Sequence, residues 1–180
     1  MACFLNFFAS GAFVLLEPLF VSAPGYGIAR YGVAAGMICA GGIAGSLLTA
    51  AVPMTARLRP AVFFACAAVD CLGNAFFPFL PFPPGLAILT AGGAANSVIN
   101  VMIFSPVQLQ VGGAMRGKVF GLLSMLSQCI APPAMALFGW LSAFLPLRGL
   151  IAAGYAANLL IFAVFALHAP LRSFLAVREK

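Results

Sequence analysis

The sequence predicts an all-α membrane protein, a bundle of six transmembrane helices, and three observations carry that prediction. The first is composition: 64% of the 180 residues are hydrophobic, 7% are charged and the mean hydropathy is +1.13. A soluble domain has about 25% charged residues, so this chain could not cover its own surface in water. The second is pattern. In lipid the backbone must satisfy its own hydrogen bonds, in helices or in a closed barrel. Barrel strands alternate apolar and polar side chains, whereas the runs here are apolar on every face and long enough for a helical crossing of about 20 residues. The third is the placing of the nine basic residues, scattered through short joints and a tail. The positive-inside rule explains them there without a nucleic-acid partner.

The six spans have approximate limits 2–23, 31–52, 61–80, 86–109, 119–144 and 149–168, followed by a basic tail over 169–180. The second and fourth joints and the tail hold Arg57, Arg59, Arg116, Lys118, Arg172, Arg178 and Lys180, and the other side only Arg30 and Arg148. Both termini are therefore expected to be cytoplasmic.

Span one has the small residues of a cleavage site at Val21-Ser22-Ala23, but no basic residue precedes the apolar stretch and Pro24 would follow the cut. It reads as a retained span and not a signal peptide. It carries Asn6 and then Glu17-Pro18. A carboxyl buried at Glu17 could take up a proton, as a proton-coupled antiporter requires, and a cationic substrate could compete for it. The plainer reading puts Glu17 close enough to the outer interface to reach water, near Arg30. Span two concentrates small residues. Gly32/Gly36 and Gly41/Gly45 are each four apart, so each pair shares a helix face and allows close backbone approach. Tight packing within the bundle is the first reading, and a surface that slides during a conformational cycle is the second.

Asp70 falls near the centre of span three, where a charge facing lipid costs at least ~2.5 kcal/mol. It must be neutral, face the bundle, or find a partner such as Asn74 one turn on. Span four carries Asn96 and Asn100, one turn apart, and then Ser105-Pro106. Laid out as a 3+3 inverted repeat, spans one and four each open a repeat with polar side chains and a late proline that breaks the helix ladder. Interrupted helices in corresponding positions point to the substrate path of repeat-built transporters. Asn6, Asn96 and Asn100 would line that path together with Glu17 and Asp70. Span five should kink at Pro132-Pro133. Trp140 fits an outer-interface anchor and His168 a cytoplasmic one. The segment from Arg172 to Arg178 fits the membrane surface.

Other chemistry finds no support. The five cysteines lie in apolar runs with no CxxC pair and no histidine nearby, which argues against a disulfide frame, a metal site or a bound cofactor. No phosphate loop or triad is present, and an intramembrane serine protease would need a Gly-x-Ser-Gly setting and a deep histidine. The chain does not read as an enzyme.

The joint VQLQVGGAMRGKVFG, Val107 to Gly121, carries two amides, a Gly-Gly break and Arg116-Gly117-Lys118. Its basic side chains cannot cross cheaply and its glycines let one helix end and the next begin, so it reads as the cytoplasmic turn of a helical hairpin. Gln108, Gln110, Val111, Ala114, Met115, Arg116, Gly117, Lys118, Val119 and Gly121 resemble the joint between the tenth and eleventh helices of major facilitator superfamily transporters. The likeness is to the bacterial drug and siderophore exporters of the macrolide-efflux and enterobactin-exporter kind. RYGVAAGMICAGGIAGSLL and APPAMALFGWLSAF are similar to that family's eighth and eleventh helices. Gly112 and Gly113 stand where the family has Pro and an acidic residue, Lys118 replaces a second Arg, and the loop with Arg57 and Arg59 lacks the family's acidic partner.

The resemblance implies the C-terminal six-helix half of a twelve-span transporter in a bacterial inner membrane. Such a half would expel a small molecule by alternating access, with proton coupling, and the Arg116-Gly117-Lys118 joint would act as a conformational gate. In that fold the third helix of each repeat is peripheral, which favours a structural hydrogen bond for Asp70. A single half needs an N-terminal half or a second copy to complete a pathway. The alternatives are a six-helix substrate-binding subunit of an energy-coupling vitamin importer, a membrane scaffold, or an inactive fragment of a longer transporter.

Overall fold

A computed structural model describes residues 2–52, 54–55 and 58–166. Arg57, His168 and the 169–180 tail lie outside the described residues, as do the side chains of Gln108, Gln110 and Ala114 in the fourth joint. The described chain is all-helical: α1 (Ala2–Val14), α2 (Leu16–Ser22), α3 (Ile28–Ala51), α4 (Leu58–Phe76), α5 (Phe82–Gln110), α6 (Gly113–Cys129), α7 (Ala131–Leu141) and α8 (Leu147–Ala166). These make six helical runs long and apolar enough to cross a membrane, Cys3–Ser22, Ile28–Ala51, Leu58–Phe79, Phe82–Ser105, Met115–Leu141 and Leu147–Ala166. The described residues form an all-helical bundle of six spans, that of an integral membrane protein.

Five of the six spans begin earlier than the hydropathy pattern expects, by up to four residues. The reason is shared by four of them: Arg30, Arg59, Arg116 and Arg148 sit inside the first turns of α3, α4, α6 and α8. Hydropathy stops at a charge, whereas the helix ladder does not, because a long cationic side chain can reach back to the interface.

Two spans are broken, each close to four residues before a proline. Pro18 lacks an N–H and its ring would meet the carbonyl of Val14; α1 ends at Val14 and α2 starts after Leu15. Pro132 and Pro133 act likewise on Gln128 and Cys129, so α6 ends at Cys129 and α7 starts after Ile130. The kink expected in span five is therefore a full break. The break expected in span four at Ser105-Pro106 does not occur, since α5 runs unbroken from Phe82 to Gln110. The interrupted helices are spans one and five, and they pack on each other: Phe7 and Phe8 meet the ring of Phe138 edge-on, and a Cβ at Gly11 would enter that ring.

The helices pack in an arc, in the order α3, α5, α4, α8, α1, α7, and α2 of span one meets α3 at one end. The tightest seam joins α3 to α5. Gly41 lies on the carbonyl of Thr90, Gly45 on that of Ala94, and Gly93 on that of Ile38. The packing reading of the Gly41/Gly45 pair holds, while Gly32 and Gly36 face open space.

Two apolar cores close the arc at different depths. At one end Leu15, Leu16, Leu19, Phe20, Phe77, Leu150 and Ile151 are buried together. Here Phe20 packs against the rings of Tyr26, Tyr31, Phe77 and Phe82, and the Tyr26 hydroxyl donates to the Leu80 carbonyl at 2.7 Å. That bond ties the first joint to the third across this end of the bundle, and positive φ at Gly25 and Gly27 lets the first joint turn tightly. Toward the opposite end Phe63, Ala67, Cys71, Ile99, Met102 and Phe162 form the second core.

Candidate functional site: a polar cleft at mid-span

Between the two cores lies a cleft of about 450 Å³, and every one of the six spans contributes to its wall. Its polar lining is Asn6 and Ser10 from α1, Asp70 and Asn74 from α4, Asn96, Ser97 and Asn100 from α5, and Tyr155 from α8; Met135 comes from α7 and Gly42 from α3. Such a wall has a simple origin. Helical residues four apart share a face, and Asn6/Ser10, Asp70/Asn74 and Asn96/Asn100 are three such pairs on three helices turned toward one space.

The polar groups form a chain of hydrogen bonds centred on Asp70. Asn74 Nδ2 donates to Asp70 Oδ1 at 2.9 Å and to the Asp70 carbonyl at 2.8 Å. Asn96 Nδ2 donates to Asp70 Oδ2 at 3.4 Å. Asn100 Nδ2 in turn donates to Asn96 Oδ1 and to its carbonyl, both at 2.9 Å. Gly92 leaves the room for this arrangement, since a Cβ there would lie 2.9 Å from Asn74 Nδ2 and 3.6 Å from Asp70 Oδ1. Ser46 and Ser97 join α3 to α5 beside it, Oγ to Oγ at 2.6 Å. Amide donors stabilise an ionised carboxyl held away from bulk water, and among the described residues no basic side chain lines the cleft.

Four of the five residues expected on a polar path, Asn6, Asp70, Asn96 and Asn100, come together here, with Asp70 bonded to Asn74 as its spacing anticipates. Glu17 does not. It stands exposed on α2, outside the cleft lining. Arg30, at the same end, donates to the Gly25 carbonyl and lies 5.0 Å above the ring of Phe82.

Arg116, Gly117 and Lys118, expected from the resemblance to form a gate, are exposed in the first turns of α6, beyond a two-residue joint at Val111-Gly112. Arg116 Nε donates to the Val111 carbonyl at 3.0 Å, which satisfies one backbone acceptor left over where α5 ends.

Sequence reasoning overlooked Ser10, Ser97 and Tyr155. Ser10 was findable, one turn from Asn6 on the same face. Tyr155 is buried in a long apolar run, and only the packing of α8 against α4 and α1 turns it to the cleft. Asn158, one turn further along α8, is buried outside the cleft lining, and its Oδ1 has no hydrogen-bond partner among the described residues. No group of three or more His, Cys, Asp or Glu residues able to hold a metal ion occurs among the described residues. Comparison with protein-family models, with curated proteins and with solved structures yields no match to this chain.

Proposed function

We propose that this chain is one six-helix half of a secondary transporter, expelling a small molecule by alternating access, with proton coupling at Asp70. One observation carries the reading: a single carboxyl sits in a cleft at mid-span depth, among amides and hydroxyls, with all six spans in the wall. Intramembrane carboxyls are costly, and proton relays and substrate paths are where they recur.

The geometry supplies a coupling route. Ionised, Asp70 accepts from both Asn74 and Asn96; once protonated, the oxygen that takes the proton becomes a donor and a weaker acceptor, so its bond from an amide N–H loosens. The bond from Asn96 is the longer, at 3.4 Å against 2.9 Å, so Asn96 is the partner released, and Asn100, which holds Asn96, moves with it. Proton uptake thereby changes the shape and polarity of the wall that a substrate meets. The Arg116-Gly117-Lys118 turn closes the cytoplasmic side in this scheme. Glu17 serves only at the interface.

Proteoliposomes holding the chain, with an imposed pH gradient and ethidium as the probe cation, test the reading. Gradient-dependent movement of ethidium should fall at least tenfold in Asp70→Asn and persist in Glu17→Gln. Movement indifferent to the gradient, or equal loss in both variants, would overturn it. The second reading, a substrate-binding subunit of an ATPase-driven importer, draws on the cleft lying within a single six-helix bundle. It requires co-purification with ATPase subunits and no response to the gradient.

A further inference from the structure

Seven of the nine basic residues fall in the joints and tail expected on the cytoplasmic side; Arg30 and Arg148 do not. The positive-inside rule gives those two no role. Each stands in the first turn of a long helix, Arg30 in α3 and Arg148 in α8. These helices are not neighbours in the arc, yet both arginines meet the first joint.

Arg30 donates to the Gly25 carbonyl, and its guanidinium lies 5.0 Å above the ring of Phe82. The rings of Phe82 and Tyr26 are 6.2 Å apart, edge to face. The Arg148 charge in turn lies close enough to Tyr26 to oppose the upward push of burial on its phenol. Two guanidiniums thus converge on one aromatic floor, built from Phe20, Tyr26, Phe77 and Phe82.

Like charges so placed repel, and the chain does not neutralise them. Among the described residues Arg148 makes no hydrogen bond or ion pair, and Arg30 meets a carbonyl and a ring but no carboxyl. Glu17 is exposed on α2 and, among the described residues, paired with neither. Gly27 gives α3 no side-chain cap, so the first-turn N–H groups add to the positive end.

We propose that Arg30 and Arg148 hold the phosphate of an anionic phospholipid at the Tyr26 end of the bundle. The proposal does not depend on the transporter reading. Guanidinium forks match phosphate oxygens, and Arg30 uses only one nitrogen on Gly25. Depth favours a lipid over a free anion. Arg30 is the third residue of a 24-residue span and Arg148 the second of a 20-residue one, so both lie at the boundary between hydrocarbon and headgroups. An apolar track also leads away from the site. Arg30, Val33 and Met37 share a face of α3 by their spacing, and Val33 and Met37 are exposed. An acyl chain below a phosphate at Arg30 lies along them, whereas a phosphate free in water gains nothing there. Arg148 comes one turn before the buried Ile151 on the same face of α8, which aims it over the core. A phosphate bonded to both arginines ties span two to span six above Phe20 and Phe77.

An indole beside the site reads the lipid. Trp140 is the one tryptophan of the chain, so Trp140→Phe with Val33→Trp leaves a single reporter, one turn along α3 from Arg30. In mixed vesicles, phosphatidylglycerol with brominated chains quenches that reporter according to its occupancy of the track, and brominated phosphatidylcholine gives the reference. Phosphatidylglycerol should be preferred at least fivefold, and the preference should vanish when Arg30→Gln and Arg148→Gln are added. Arg116→Gln with Lys118→Gln, at the opposite end, should leave it unchanged. Arg148→Gln alone removes no bond among the described residues, so it should keep the thermal midpoint in detergent and at least halve the preference.

Equal quenching by the two lipids, or a preference that survives the loss of both arginines, would overturn the proposal. So would a preference abolished by excess glycerol 1-phosphate at constant ionic strength, which would mark a site for a soluble phosphate ester. Ethidium flux is read separately. A chain that moves no ethidium yet prefers phosphatidylglycerol loses the transporter reading and keeps this site, and the converse result does the opposite.

Discussion

The two halves of α3 carry the same motif in opposite surroundings. Gly41 and Gly45 press onto the backbone of α5 at Thr90 and Ala94, while Gly32 and Gly36, on the same helix and at the same spacing, meet nothing within 4 Å. A glycine pair grants permission for close approach. Which pair uses it depends on where the neighbouring helix runs. Here Gly41 stands nine residues after Gly32, about two and a half turns, so Gly41 and Gly45 face α5 while Gly32 and Gly36 face away from it. The half of α3 that holds Gly32 and Gly36 is itself packed, through the buried Ala34.

The largest effect should come from closing the used half. Gly45→Ala puts a methyl against the Ala94 carbonyl, a backbone atom that cannot rotate away. A loss of about 3 kcal/mol, read as a fall in folded fraction on titration with denaturing detergent, would establish the seam as the keystone of the bundle. An unchanged fraction would show that α3 and α5 can separate freely.

A smaller effect is expected beside the seam at Gly92→Ala. The added methyl would crowd Asn74 Nδ2 off Asp70, which costs about 1 kcal/mol for one hydrogen bond. It should also reduce gradient-driven flux, so it separates packing from function: the Gly45 change alters both through the fold, the Gly92 change chiefly the cleft.

The end of the seam near Tyr26 offers a pH test. Burial pushes the Tyr26 phenol above its ordinary 10.0, with the Arg148 guanidinium opposing. A phenol that holds its proton more tightly when folded stabilises the folded state less as pH rises through and beyond 10, because the unfolded chain ionises first. The thermal midpoint should therefore fall more steeply above pH 10 in the native chain than in Tyr26→Phe, which below that pH loses only the bond to Leu80. Identical slopes would remove Tyr26 from the account.

The smallest effect belongs to the unused half. Gly36→Ala should leave the monomer unchanged or stabilise it by up to about 1 kcal/mol, the helix-propensity difference between the two residues. A clear loss in a strictly monomeric preparation would mean that α3 has a partner there within the chain.

Much of the architecture was legible in the sequence. Six helical crossings follow from apolar runs that no soluble surface could accommodate, and the breaks in spans one and five follow from the clash of Pro18, Pro132 and Pro133 with carbonyls four residues back. The polar pairs Asp70/Asn74 and Asn96/Asn100 could be placed on single helix faces by their spacing. The same reasoning misjudged Pro106, where α5 continues, and set span limits at arginines that the helices include in their first turns. Both errors treat a local signal as final where helix and surroundings absorb it.

Sequence alone determined the membrane class, the number of spans and the faces on which polar side chains lie, because each of these depends on residues within a turn or two of one another. Tertiary structure alone decided that three of those faces meet in one cleft, that Glu17 stands outside it and that Tyr155 joins it. It also decided which glycines of α3 are in contact. These depend on how helices distant in sequence cross, and apolar runs of this kind, hydrophobic on every side, carry no periodic mark of which side turns inward.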